Sequence, residues 1–202
     1  MNISEDLNEE SFLHIHSLAL NNEKVLVMSE IGLDFTENIS TRKIQYDIFR
    51  QQIRIALDLK IPIVFHSRES HQDVLRILLE EKAYEVGGVM HYFQGDENIA
   101  KQAIDLGFYL SFAKTLIREP SIQETLNHVP LNAVVIETDA YPQPFKKNRL
   151  RWTEPWQLPQ VVQKIAEIKN VSLDIVAKES TNNYAKMTKG RLRLEDLPYS
   201  IL

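Results

Sequence analysis

The sequence SEIGLD at residues 29–34 follows an apolar run, Lys24–Ser29, that is typical of a buried strand. Three more strings follow apolar runs in the same way: HSR at 66–68, HYFQG at 91–95 and ETD at 137–139. Each string places a residue type that binds metals where we expect its strand to end. These four residues are Glu30, His66, His91 and Asp139.

Around these strings the chain alternates predicted strands and helices. The predicted strands are Lys24–Ser29, Ile61–Phe65, Gly87–Met90, Phe108–Phe112 and Ala133–Ile136. The predicted helices are 5–21, 41–59, 70–82, one capped by Asp96 and ending near Leu106, one beginning at Pro120, and 155–169, 172–179 and 181–189. Such alternation implies parallel strands with right-handed crossovers, in an open sheet or in a barrel. Candidate ligands at successive strand ends favour the barrel.

The composition of the 202-residue chain is that of a globular domain, with 44% apolar and 25% charged residues, so we expect one domain over 1–202. There is no cysteine, which excludes thiolate ligands. There is also no apolar run long enough to cross a bilayer and no signal-peptide pattern at the start. We therefore expect a cytoplasmic protein without a membrane partner. The net charge of −5 argues against broad nonspecific binding of nucleic acid. It permits a nuclease, because a metal ion and a few cations hold one phosphate.

In order and spacing, the four strings resemble the TatD family of metal-dependent hydrolases, which are TIM barrels related to the amidohydrolases. The family's GEIGLD, HxR, HxFxG and ETDAP patterns appear here as SEIGLD, HSR, HYFQG and ETDAYP. Its FxxQxxxA pattern matches Phe49, Gln52 and Ala56, and its RNEP pattern is approximated by RWTEP at 151–155. The resemblance runs from about Lys24 to about Met187. It implies a TIM-type (β/α) barrel that hydrolyses phosphodiesters, typically DNA, with divalent metal.

The resemblance and the residue chemistry together give a site hypothesis. Glu30, His66, His91 and Asp139 bind one or two divalent ions, either zinc, magnesium, manganese or nickel. Glu30 and Asp139 are the catalytic carboxylates, with Asp139 as a second-ion ligand or as the base. Arg68 binds substrate through a phosphate oxygen, because its guanidinium matches phosphate geometry. The substrate is DNA or a small phosphoester; hydrolysis of a small ester, lactone or amide is the alternative.

The front of the chain departs from the family pattern. The strand before Glu30 would be the fourth of eight, so we expect about five strands, a barrel incomplete at its N-terminus and little or no activity in this form. An exposed barrel edge would then favour association into oligomers. The pair His14 and His16 imitates the family's His-x-His but lies only 14 residues before Glu30. We interpret both as helix-surface residues, because side chains two apart on a helix diverge.

The remaining polar and aromatic signals have structural interpretations that we prefer. We expect Asp34 to brace its loop or a metal ligand, and His71 and His128 to be helix-terminal residues, with substrate contact open for His71. Trp152 and Trp156 are expected to pack over the rim, with base stacking as the alternative. The basic run at 146–151 is either solvated or steers a substrate, with its charges on Lys146, Lys147, Arg149 and Arg151.

Overall fold

The computed structural model describes residues 9–36, 42–140 and 153–192. Five parallel strands form one sheet in the order β1-β2-β3-β4-β5, so that each strand pairs with its predecessor in sequence. The strands are β1 Met28–Asp34, β2 Ile63–Arg68, β3 Gly88–Met90, β4 Phe108–Phe112 and β5 Val134–Ile136. This arrangement confirms the predicted α/β class and the parallel strand order of a partial barrel.

Helices connect the strands and cover one face of the sheet. They are α1 Glu9–Leu20, α2 Arg42–Leu59, α3 His71–Glu80, α4 Glu97–Asp105, α5 Thr115–Arg118, α6 Pro120–His128, α7 Leu158–Lys169 and α8 Leu173–Met187. The Asp96 side chain caps α4 by accepting a hydrogen bond from the Ile99 amide (2.9 Å), as predicted. Pro120 occupies the first turn of α6, also as predicted. No helix in the described ranges is long and apolar enough to cross a membrane.

The predicted break near residue 180 is wrong, because α8 is one continuous helix rather than two. Ser180 is buried inside it, and its hydroxyl donates to the Ala177 carbonyl at 3.1 Å. This bond satisfies the hydroxyl within the helix, so the serine does not interrupt it. The Ser172 hydroxyl caps the start of α8 by accepting from the Ile175 amide at 3.3 Å.

The first two strands reach further along the chain than the apolar runs predict. We expected strands at Lys24–Ser29 and Ile61–Phe65, but β1 ends at Asp34 and β2 ends at Arg68. Gly32 makes this extension possible: its φ is +137°, and a Cβ atom there would lie 2.0 Å from the His66 carbonyl oxygen. A glycine at this position therefore lets the two backbones pair closely as far as Asp34.

Alternation along the strands separates a helix-covered face from a site-bearing face. Ile63 and Phe65 of β2 are fully buried in the main core, where the Phe65 ring contacts Phe108 edge-on with 5.1 Å between centroids. Val64 lies in a second, smaller apolar cluster, together with Val89, Val135, Tyr109, Val27 and Met187 of α8. His66 shares the alternation of Val64, because successive strand side chains point to opposite faces. The candidate ligands therefore lie on the face opposite to the main core.

Candidate metal centre

The structure brings the four predicted ligands together. Glu30 Oε1 lies 3.2 Å from His66 Nδ1 and 3.6 Å from His91 Nε2. Asp139 Oδ1 lies 3.7 Å from the same His91 Nε2. Four side chains, two from the strands β1 and β2 and two from the segments that follow β3 and β5, therefore converge at one end of the sheet. Glu30 and His66 lie within strands rather than after them, which corrects the predicted strand-end placement of these two residues.

Glu137 holds His91 in place. Its Oε2 atom is 2.5 Å from His91 Nδ1, and its Oε1 atom accepts a hydrogen bond from the Tyr92 amide at 2.5 Å. An ionised carboxylate only accepts hydrogen bonds, so His91 Nδ1 carries the proton in this contact. When the ring is neutral, the Nε2 lone pair lies on the side of Glu30 and Asp139. Metal-binding histidines commonly use their second nitrogen in this way.

Asp34 performs a similar task for His66. Its Oδ2 atom lies 3.3 Å from His66 Nε2, which leaves His66 Nδ1 facing Glu30. Its Oδ1 atom accepts from the backbone amide (3.0 Å) and the hydroxyl (2.6 Å) of Thr36. Asp34 thus braces its own loop, as the sequence predicts. Each histidine of the pair therefore has one nitrogen next to a supporting carboxylate and the other next to Glu30.

The charges of the cluster shift the pKa values of its members in different directions. The hydrogen bond with His66 lowers the pKa of Glu30, against the opposing effect of burial. Burial by itself lowers the pKa of His91, but Glu137, Glu30 and Asp139 outweigh it and raise that pKa. Burial raises the pKa of Asp139, and the charges of Glu137 and Glu30 add to this against the opposing charge of His91. Asp139 is therefore the carboxylate here that takes up a proton more readily than usual.

The backbone is strained where the site loops leave the sheet. Glu69, Tyr92 and Asp139 follow β2, β3 and β5, and their φ angles are +53°, +48° and +52°. Non-glycine residues with such angles cost free energy unless the surrounding structure holds them. The amide of Tyr92 donates a hydrogen bond to Glu137, and this bond stabilises the backbone conformation of Tyr92.

The residue types fit a divalent cation. Two imidazoles and several carboxylates form a mixed nitrogen and oxygen donor set that suits zinc, manganese or nickel. Ligand atoms that share one tetrahedral ion stand about 3.4 Å apart, close to the 3.2, 3.6 and 3.7 Å found here. As the side chains lie, no three His, Asp or Glu residues in the described ranges form a complete ligand group.

Arg68 lies at the end of β2, on the same face as His66. Its guanidinium is 3.9 Å from Asp34 Oδ2, and its side chain is largely exposed. The contact with Asp34 is too long for a hydrogen bond. The guanidinium donors therefore remain accessible beside the cluster.

The histidines to which we gave structural roles lie on helices or at helix ends. His14 and His16 are on α1, where His16 Nε2 contacts Asp58 at 2.7 Å, which agrees with their interpretation as helix-surface residues. His71 begins α3 and its Nδ1 lies 2.7 Å from the Ser67 hydroxyl, while burial lowers its pKa. His128 ends α6 and faces two glutamates, Glu97 and Glu124, at 3.5 and 3.6 Å.

The predictions for the loop after β5 have mixed outcomes. Trp156 is 65% exposed and its indole N–H donates to Glu154 at 3.2 Å, so the prediction that it packs over the rim is wrong. Trp152 and the basic run at 146–151 lie outside the described residues. Sequence analysis assigned no role to Glu137, although it lies two residues before Asp139 and thus on the same side of an extended segment.

The fold and the clustered donors define a class: parallel α/β proteins that present histidines and carboxylates for a metal at one end of the sheet. Residues 2–189 match the family described as "TatD related DNase". The chain therefore belongs to the TatD family, whose relatives include proteins named metal-dependent hydrolases. This confirms the family resemblance found in the sequence.

Individual relatives agree with this assignment. "Uncharacterized metal-dependent hydrolase YabD" of Bacillus subtilis (strain 168) is 35% identical over 187 residues, covering 90% of this chain and 72% of its own length. "Deoxyribonuclease TATDN3" of Homo sapiens is 27% identical over 169 residues, covering 82% and 60%. The crystal structure of YJJV, a TatD homologue from Escherichia coli K12, superposes with a TM-score of 0.82 at 23% identity, covering 91% of this chain and 71% of that one. The chain spans only 61% and 64% of the lengths of two similar metal-dependent hydrolases from Buchnera aphidicola.

Proposed function

We propose that this protein hydrolyses phosphodiester bonds, with DNA as its substrate, through divalent metal held by Glu30, His66, His91 and Asp139. The observation that carries the proposal is the convergence of both histidines on Glu30, with a supporting carboxylate on the far side of each ring. Such paired support is typical of metal ligands. The name of the human relative, a deoxyribonuclease, supports the choice of DNA.

The chain's own residues supply distinct parts of the reaction. Bound divalent metal makes water a better nucleophile and neutralises phosphoryl charge. Asp139, whose Oδ1 lies 3.7 Å from His91 Nε2, would bind a second ion or accept the proton that the attacking water loses. Arg68 donates hydrogen bonds to a nonbridging phosphate oxygen, because its guanidinium is exposed next to the cluster. Glu30, which lies between the two histidines, would hold the bound metal together with them.

The test is a paired measurement of metal content and hydrolysis. Protein purified without chelator is analysed for zinc, manganese, nickel and magnesium, and is then assayed on end-labelled DNA and on small ester, lactone and amide substrates. We expect bound metal and metal-dependent cleavage of DNA, both lost in His66→Ala and His91→Ala. His14→Ala and His16→Ala are the controls, because neither residue contacts the cluster.

Two results would overturn the proposal. Metal binding that depends on the α1 histidines rather than on His66 and His91 would place the site elsewhere. Metal-dependent cleavage of esters, lactones or amides, without any cleavage of DNA, would keep the metal site and replace the substrate.

A further inference from the structure

The carboxylate of Glu137 makes two hydrogen bonds through two different oxygen atoms. Oε2 accepts from His91 Nδ1 and Oε1 accepts from the Tyr92 backbone amide, each at 2.5 Å. The backbone of Glu137 is itself fixed to the sheet, because its amide donates to the Phe112 carbonyl at 3.1 Å. The carboxylate thus connects the loop after β3 with the strand edge formed by β4 and β5.

These bonds determine which nitrogen of His91 is free. A carboxylate oxygen at Nδ1 requires a ring proton there, so that Nε2 keeps its lone pair whenever the ring is neutral. That lone pair lies on the side of Glu30 Oε1 (3.6 Å) and Asp139 Oδ1 (3.7 Å). The His91 side chain is only 13% exposed, so water competes little for this arrangement.

The second bond holds the backbone that carries the ring. Tyr92, the residue after His91, has a φ of +48°, which is unfavourable for a non-glycine residue. Its amide is bound by the other Glu137 oxygen. One carboxylate therefore fixes the ring's protonation site and the strained peptide next to it.

We propose that Glu137 is a positioning residue, which holds His91 as the Nδ1-protonated tautomer so that Nε2 is available to a metal ion. This inference deepens the proposed function and rests on it. It makes a specific prediction for Glu137→Gln, which has nearly the same shape but a single acceptor oxygen. If that oxygen keeps the Tyr92 amide, the Gln NH₂ group faces His91 Nδ1. The ring must then accept at Nδ1 and carry its proton on Nε2, where the metal would bind.

The experiment reads the tautomer directly and then the metal affinity. Long-range ¹H–¹⁵N NMR of metal-free protein, at a pH where His91 is neutral, distinguishes Nδ1–H from Nε2–H. Calorimetric titration with Zn²⁺ and Mn²⁺ then gives the dissociation constants. The matched control is Glu124→Gln, which alters an exposed glutamate of α6 that faces His128 at 3.6 Å and belongs to no part of the strand-end cluster.

We expect Nδ1–H on His91 in the wild type and in Glu124→Gln, and Nε2–H in Glu137→Gln. Metal affinity should fall about 10-fold to 100-fold in Glu137→Gln, with an unchanged circular dichroism spectrum, and stay constant in the control. A merely structural glutamate would leave the tautomer unchanged in the isosteric variant.

The inference is overturned if wild-type His91 carries its proton on Nε2, a result that holds even if Glu137→Gln fails to fold. If wild type and Glu137→Gln bind metal with equal and measurable affinity and have the same His91 tautomer, this inference is overturned, but the proposed metal site is not. A wild type that binds neither ion overturns the proposed metal site together with this inference.

Discussion

On the outer surface between α2 and α3, Glu81 lies between two arginines, whereas at the strand ends four carboxylates surround two histidines. Glu81 accepts hydrogen bonds from Arg50 (2.6 Å) and from Arg54 (2.8 and 3.0 Å). Glu80 pairs with Arg50 and Arg76 next to it, and Asp73 pairs with Arg76, so that three carboxylates face three arginines. We call these residues the helix ion-pair cluster. Its positive and negative charges are matched.

The strand-end cluster is not matched in this way. Its carboxylates contact histidines, and Arg68 is the one arginine or lysine in the described ranges that pairs with any of them, at 3.9 Å from Asp34. The carboxylates are Glu30, Asp34, Glu137 and Asp139. A surplus of negative charge costs stability unless a cation neutralises it. In the first cluster arginines neutralise the carboxylates, while the second has a surplus of negative charge that the proposed metal would neutralise.

The largest expected effect separates the two clusters by activity. Asp139→Asn removes the proposed proton acceptor and should lower the rate of metal-dependent phosphodiester hydrolysis about 100-fold to 10,000-fold. Glu81→Gln should leave this rate unchanged, because Glu81 is on the helical surface. Initial rates on a chromogenic phosphodiester measure both. A loss of rate in Glu81→Gln equal to that in Asp139→Asn would remove the distinction.

The second prediction concerns stabilisation by metal. Zn²⁺ or Mn²⁺ at about 100 times its dissociation constant should stabilise the wild-type fold by about 2.7 kcal/mol, because it binds the folded chain. The thermal midpoint should rise correspondingly in Glu81→Gln but not in His91→Ala. Differential scanning calorimetry with and without chelator measures this shift. An undiminished rise in His91→Ala would show that the ion binds elsewhere.

The third prediction tests the helix ion-pair cluster itself. Glu81→Gln keeps the shape but loses charge-assisted hydrogen bonds to Arg50 and Arg54, so it should destabilise the fold by about 1 kcal/mol. Urea unfolding of metal-free protein measures the change. A variant as stable as the wild type would mean that the arginines find equal partners in solvent.

The smallest expected effect is that the stability contributions of Glu81 and Asp139 change in opposite directions with pH. Hydrogen bonds from Arg54, opposed by burial and reinforced by Arg50, lower the pKa of Glu81. Its contribution is therefore present above its ordinary pKa and is lost as the pH falls through the lowered value. The pKa of Asp139 is raised, mainly by burial. The folded chain then holds that proton more tightly than the unfolded chain, so stability falls as the pH rises through the raised value.

Urea unfolding of metal-free variants at a series of pH values measures how the free energy of unfolding changes with pH. From acid toward neutral pH, wild type should gain stability relative to Glu81→Gln and lose stability relative to Asp139→Asn. Trends of the same direction in both comparisons would contradict the view that one cluster is balanced and the other is not.

The sequence predicts the fold and the convergence of the four candidate ligands, but not how far the strands extend. Apolar runs locate the strand cores, yet β1 continues to Asp34 because Gly32 allows close pairing with His66, which is a tertiary contact. The predicted break in α8 fails because Ser180 bonds within the helix. Both errors occur at residues that are compatible with more than one backbone conformation, so that contacts in the folded structure determine which conformation forms.

The supporting residues of the site are harder to predict than the ligands. Glu137 is 45 and 46 residues from the groups it binds, so no local pattern connects it to His91 or Tyr92. Its spacing from Asp139 indicates only that the two side chains would lie on the same side of an extended segment. The exposure of Trp156 is likewise not predicted, because the sequence does not distinguish an aromatic side chain that packs over the rim from one that lies in solvent.

Calorimetric titration of metal-free protein with Mn²⁺ and Zn²⁺ tests the central claim most directly, with Glu30→Gln as the variant and His16→Ala as the control. Glu30 lies between both histidines, so the strand-end cluster predicts saturable binding in the wild type and in His16→Ala, and a loss of more than about 100-fold in affinity in Glu30→Gln. Binding that Glu30→Gln leaves unchanged, or no binding by the wild type, would contradict the account.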